Sequence, residues 1–467
     1  MKKINHVEKD KFTLWLLAWP IFIEVFLQFL LGTVDTLMVS RISDEAVAVV
    51  GFSNQLFNAL TTLFATVASG AGIVIAQKIG SRKEEDARTV AIIALKVTAA
   101  IGVVLSLILI AFPRSIAQML SLPEELLSLA EVYISIVGGG MILTAVMSTL
   151  GTAIRNTGNT KGPMYIAVGM NIIHIILNYC FIFGAMGFPE LGLKGVAIST
   201  VVSRLIATII LMIIFVSTFQ RKITFSDFRI FDSKLFKEIL AIGWPLGVNM
   251  SSWVFSQLAI FSFLATLGTT ELAARTYMNT LESFCFLLGH SLALAAQIQI
   301  AHLFGGGKTK EAYGAVFRAL KVALPLVIAN AFILVLVGKY MLALFTQDQA
   351  ILNLCASLLW MNLLLQPGKV INMAIGDALN AIGDTKYTMN ISLIFMGIVA
   401  TGGSYVLGIS LGWGIIAIYS AMIADEYIRG VLSYYRWKQR KLLNKKEAEL
   451  KEQSDPIMVS SSPTMAL

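Results

Sequence analysis

About twelve apolar runs, each long enough to cross a bilayer, follow one another through this chain. They lie near residues 12–39, 46–78, 88–112, 124–152, 162–185, 193–219, 235–266, 271–302, 311–341, 349–381, 386–411 and 413–436. A helix needs about 20 apolar residues to span the hydrocarbon core. Only helices and closed barrels satisfy every backbone polar group there. The ten-residue alternation of a membrane barrel is absent, so the expected fold is an all-α integral membrane protein with twelve transmembrane helices. Several runs are longer than a perpendicular crossing needs, which predicts tilting, kinking or projection into water.

The charges agree with this reading. Charged residues make up 14% of the chain, against about 25% in a typical soluble domain. The net charge of +8 is gathered in short links: GSRKEEDAR (80–88), QRKITFSDFRIFDSKLFK (220–237), GGGKTKEA (305–312) and RWKQRKLLNKK (436–446). The alternate links SRISDE (40–45), GAMGFPELGLK (184–194), GTTELAAR (268–275) and GISLGWG (408–414) carry few Lys or Arg. This is the positive-inside pattern rather than a nucleic-acid patch, and it puts both termini in the cytoplasm. The start, MKKINHVEKDK, lacks the small-residue cleavage site of a signal peptide. Cys180, Cys285 and Cys355 fall in apolar runs without redox or metal spacing. No nucleophile–base pair or metal constellation emerges, and GGGK at 305–308 lacks the spacing of a phosphate loop. An enzyme is therefore not expected.

The chain repeats itself. GTAIRNTGNTKGPM (151–164) aligns with GDALNAIGDTKYTM (376–389) at an offset of 225, which also pairs Trp19-Pro20 with Trp244-Pro245 and Gly80 with Gly305. Six spans precede the link at 220–237 and six follow it, so both halves enter from the same side. The resulting plan has a cytoplasmic N-terminus (1–11), an N-lobe (12–219), a linker (220–234), a C-lobe (235–436) and a basic, then disordered, cytoplasmic tail (437–467). Two pseudo-symmetric six-helix lobes with a site between them are a transporter plan.

Polar residues inside the spans point to that site. Glu24, Gln28 and Asp35 share one face of span one. Charged groups in hydrocarbon turn to the bundle interior or to water, because lipid exposure is costly. Pro20 removes a backbone hydrogen bond in the same span, which predicts a hinge with a freed carbonyl. In span five Asn171, His174 and Asn178 are spaced by three and four, and span six adds Ser199 and Thr200. These oxygen- and nitrogen-rich groups suit a hard cation or a proton. The second half differs: Asp35, Glu24 and Gln28 correspond to Ile260, Asn249 and Trp253, so coupling chemistry belongs to the first lobe. Glu282 and Lys369 remain in the second, for mutual pairing or for substrate. Aromatic and Met side chains of spans seven, eight and ten, Trp253 among them, suit an adaptable apolar cleft.

Taken in order and in duplicate, these pieces resemble the multidrug and toxic compound extrusion (MATE) family. The resemblance rests on Pro20 with Val34-Asp35-Thr36, Ala48-Val49-Val50-Gly51, Arg155-Asn156-Thr157-Gly158-Asn159-Thr160 with its echo Gly383-Asp384-Thr385, and Asn178 with Ile182-Phe183-Gly184. It implies a monomeric antiporter of a bacterial-type plasma membrane, surrounded by lipid. Such a protein exports small organic cations in exchange for sodium or protons and needs no cofactor or nucleic acid. It further implies that Asp35 couples transport with His174, Asn178, Thr200 and Asn171, and that a sodium ion would sit at Asp35, Asn178 and Thr200. Glu24, Gln28, Trp253 and Glu282 are the expected cleft residues. Some members of the family carry an Asp where this chain has Asn178 and an Asn where it has His174, which leaves the ion open. A lipid-linked precursor flippase of the same superfamily is the alternative reading.

Overall fold

The computed structural model describes residues 12–120, 122–343 and 346–454, with side chains described as far as residue 441. The expected N-terminal segment 1–11 and residues 455–467 of the expected disordered tail lie outside the described residues.

Fourteen helices follow in order among the described residues. The first eight are α1 (Leu14–Val39), α2 (Asp44–Gly80), α3 (Glu84–Ala111), α4 (Pro113–Met119), α5 (Glu124–Gly139), α6 (Met141–Asn156), α7 (Lys161–Phe183) and α8 (Gly192–Val216). After the short turn Phe225–Arg229 come α9 (Ser233–Leu267), α10 (Thr269–Gly305), α11 (Thr309–Leu342), α12 (Gln349–Ala381), α13 (Thr385–Phe395) and α14 (Gly414–Ser454). No strand occurs among the described residues. Ten helical segments are long and apolar enough to cross a membrane, one of them α13 with its continuation to Ser410. The fourth span is broken: α5 and α6 meet at 40° where Gly138, Gly139 and Gly140 follow one another. The eleventh widens from α13 into π-helical turns, Met396–Gly402 and Ser404–Ser410, through a segment rich in glycine. α14 is the twelfth, and its helical backbone runs on to Ser454, past the expected span end at 436.

The two lobes meet through α1 and α2 on one side and α9 and α10 on the other. Glycines set this approach. A Cβ on Gly80 would overlap the His302 carbonyl oxygen, and one on Gly305 would overlap that of Gln77. Residues 77 and 302 are again 225 apart, so these two contacts exchange under the sequence repeat. A parallel repeat about an axis through the crossing requires that relation. Farther along, a Cβ on Gly70 would fall 2.7 Å from the Gly243 Cα, so α2 and α9 also touch backbone to backbone.

Helix α1 belongs to both lobes. Phe12, Leu17, Ala18 and Ile21 are buried in the C-lobe core, whereas Val39 is buried with N-lobe residues. Phe12 stacks on His302 with ring centres 3.8 Å apart, and Gln299 Nε2 donates to the Phe12 carbonyl at 2.7 Å. Pro20 lies within the first attachment, between Ala18 and Ile21.

Candidate functional site

Proline at 20 deprives the Leu16 carbonyl of its helical partner. The buried Thr160 Oγ1 donates to that oxygen at 3.2 Å. The same device recurs in the C-lobe: Pro245 frees the Ala241 carbonyl, and Thr385 Oγ1 donates to it at 3.4 Å. The duplicated Asn-Thr-Lys and Asp-Thr-Lys motifs thus supply a hydroxyl that latches each proline hinge. The repeat was legible in the sequence; the partnership with the proline was not, because 144 residues separate donor from acceptor.

Beyond the hinge, Asp35 meets α7. Its Oδ1 lies 2.7 Å from His174 Nε2 and accepts from Asn178 Nδ2 at 2.9 Å. His174 and Asn178 are buried, and the Asp35 side chain keeps 22% of its exposure. Among the described residues, no Lys or Arg is within ion-pair distance of Asp35. Val34 and Tyr179, the chain neighbours of Asp35 and Asn178, line a surface groove of about 440 Å³ that also includes Arg41.

Proton accounting constrains this group. A nitrogen and an oxygen 2.7 Å apart need a proton between them, because two bare acceptors repel. The far ring nitrogen, Nδ1, is 3.2 Å from Ser203 Oγ, and that hydroxyl can also donate to the Thr200 carbonyl at 3.1 Å. When Ser203 donates to Thr200, His174 carries a proton on Nδ1 and the acid–imidazole pair holds two protons. When the hydroxyl turns to Nδ1, the pair holds one. The same heavy-atom positions thus accommodate either proton count, with one hydroxyl rotated.

The other expected site residues are distributed unevenly. Asn171 Nδ2 donates to the Leu27 carbonyl at 3.2 Å, while its Oδ1 and that of Asn178 are buried without partners. Thr200 donates to Val196 within its own helix at 2.9 Å. Glu24 is buried and accepts from Arg155 Nη1 at 2.6 Å, Gln28 is exposed, and Trp253 keeps 45% of its exposure on α9. Glu282 is buried in the C-lobe against Arg275, Tyr419 and Lys369. Sequence reasoning missed Arg155 as the partner of Glu24, Arg275 as that of Glu282, and Tyr133 and Arg204 close to Asp35. Arg204 was visible as a cation in the middle of an apolar run and Arg275 as one near the start of another; only folding supplied their partners.

Residues 20–180 and 245–406 match the MatE family. An uncharacterized transporter of Bacillus subtilis (strain 168), YisQ, is 33% identical over 92% of this chain and 94% of its own length. A probable multidrug resistance protein, NorM of Thermotoga maritima, is 25% identical over 93% of this chain and 94% of its own. Among solved structures, a MATE protein in a bent conformation superposes with a TM-score of 0.86 at 20% identity, covering 95% of this chain and 97% of that one. A MOP superfamily transporter from Pyrococcus furiosus, described as having a binding pocket of reverse polarity, superposes at 0.83, with 20% identity and coverage of 92% and 96%. At such identities these structures speak to the fold alone.

Proposed function

This chain belongs to the MatE family of membrane transporters, and we propose that it exports cationic amphipathic compounds in exchange for protons, with Asp35 as the coupling residue. The observation that carries this reading is the 2.7 Å contact between Asp35 Oδ1 and His174 Nε2, beside a serine that accommodates either proton count. With one proton the pair is a net anion and attracts an organic cation. With two it is neutral, and the cation loses its electrostatic hold. Proton and cargo thus compete for one charge, which is the requirement for exchange.

Sodium fits less well. Asn178 turns its amide nitrogen, not its oxygen, to Asp35. A sodium ion beside Asp35 needs oxygens around it. The Lys/Arg-rich links support a cytoplasmic location for both termini in a bacterial-type plasma membrane, and the two-lobed single chain supports a monomer as the working unit.

The test is fluorescent-cation transport in proteoliposomes under separately imposed proton and sodium gradients. The proton gradient is expected to drive transport and the sodium gradient not. Asp35→Asn is expected to abolish gradient-driven accumulation; accumulation by that variant at the wild-type rate would refute the assignment.

A further inference from the structure

The link between the lobes is fastened to the N-lobe along one side and open along the other. Arg88 on α3 is buried against Asp227, Nη1 to Oδ2 at 2.9 Å, and the Thr224 amide and hydroxyl both donate to that oxygen at 2.8 Å. About three turns into α3, Lys96 Nζ donates to the Phe228 carbonyl at 3.1 Å and to that of Ile230 at 2.5 Å. The same ammonium lies over the Phe231 ring. Phe219, Ile223 and Leu235 are buried in the N-lobe core. The link therefore runs down the flank of α3, between the ends of two spans, rather than out into water.

Its acids are all spent on the fold. Asp227 serves Arg88, with Arg221 3.5 Å from its other oxygen. Asp232 caps α9 by accepting from the amides of Lys234 and Leu235, and Glu238 pairs with Lys78 at 2.9 Å. Lys222, Arg229, Lys234 and Lys237 are exposed, and among the described residues no acid lies within ion-pair distance of any of them. Large apolar groups stand between these cations. Phe225 keeps 86% of its exposure and Phe231 54%, and on α9 the face that begins at Lys237 continues through Leu240 to Trp244, itself 67% exposed. Charge alone suits any polyanion. Cations interleaved with exposed aromatics suit the boundary between headgroups and acyl chains, where both kinds of group are satisfied together.

We propose that the open side of this link binds anionic phospholipid headgroups at the membrane surface. Lys222, Arg229, Lys234 and Lys237 meet the phosphates, while Phe225, Phe231 and Trp244 enter the layer beneath them. The surface stands apart from the Asp35 site and does not depend on what the protein exports.

Native mass spectrometry of the full-length protein, equilibrated in detergent with equal amounts of phosphatidylglycerol and phosphatidylcholine, tests it. The wild type is expected to retain phosphatidylglycerol in preference. Each cation near an anionic surface contributes about fivefold in affinity, so replacing all four by Gln should lower that preference at least about tenfold. Replacing the three lysines by Arg keeps the charge and should preserve it. Gln at Lys308, Lys310, Lys438 and Lys441, exposed on other links, removes the same charge elsewhere and should leave the preference within about twofold. Equal retention of the two lipids by the wild type overturns the site, as does an equal loss in the two Gln variants. Displacement of the lipid by soluble glycerol phosphate or an acidic peptide at comparable concentration assigns the patch to a soluble anion and overturns it too. Phe225→Ser separates the sources again: it should weaken phosphatidylglycerol retention, and unchanged retention contradicts insertion into the bilayer.

Discussion

Replacing Thr160 by valine removes one hydroxyl and keeps the side chain's shape. In the wild type that hydroxyl holds the Leu16 carbonyl at 3.2 Å, four residues before Pro20. The bond joins the turn between α6 and α7, in the N-lobe, to the part of α1 packed with Leu17 and Ile21 in the C-lobe core. It therefore resists relative movement of the lobes, and its loss destabilises the arrangement seen here. Polar contacts between membrane helices average about 0.6 kcal/mol and reach about 1.7 kcal/mol. With tenfold per roughly 1.4 kcal/mol, alternative arrangements should gain about 3- to 20-fold in population. Spin labels at Lys83 and Lys308, exposed in the turns after α2 and α10, report that population as a distance distribution. Thr160→Ser, which keeps the donor, should resemble wild type. Thr385→Val, which breaks a longer contact of 3.4 Å, should have the smaller effect. Indistinguishable distributions for Thr160→Val and wild type would refute the latch.

Gly80→Val places atoms where the His302 carbonyl lies and should cost about 1–3 kcal/mol as an overpacked contact; Gly305→Val should match it, and unchanged melting in detergent for either variant contradicts the crossing. Midway along α14, Arg440 and Arg436 hold the Asp384 carboxyl below its usual range although burial opposes them. A carboxyl lowered by folding contributes stability at neutral pH that is lost as pH falls through its folded pKa. Asp384→Asn should therefore melt below wild type at pH 7, and the gap should close only below about pH 4; a gap that persists unchanged at pH 3 argues against the ion pair.

Sequence alone reaches the scaffold because the constraints on a membrane chain are local. Apolar length fixes the spans, the Lys/Arg links fix their order, and an offset of 225 fixes two lobes; the Gly80 and Gly305 contacts report the same symmetry in space. Asp35, His174 and Asn178 were legible for a related reason, since intramembrane polar groups at helical spacing must face inward and the fold brings these three together. Partners supplied by distant helices were not legible. Glu24 gives no hint that Arg155 will neutralise it, nor Glu282 that Arg275 and Tyr419 will enclose it. The bend at Gly140 and the wide turns after α13 were missed because a glycine in an apolar run reads equally as helix packing and as helix break.

The two lobes share a skeleton and divide the chemistry. Both carry the proline, the latching threonine and the crossing glycine at equivalent positions. Only the N-lobe places an acid against an imidazole, where one proton changes the net charge. In the C-lobe the position of Asp35 is Ile260; Arg275 and Lys369 lie against Glu282, and Asp377 accepts from the amides of Gln297 and Asn380. Duplication thus supplies two latched hinges at equivalent positions, while among the described residues the acid–imidazole contact stands in the N-lobe.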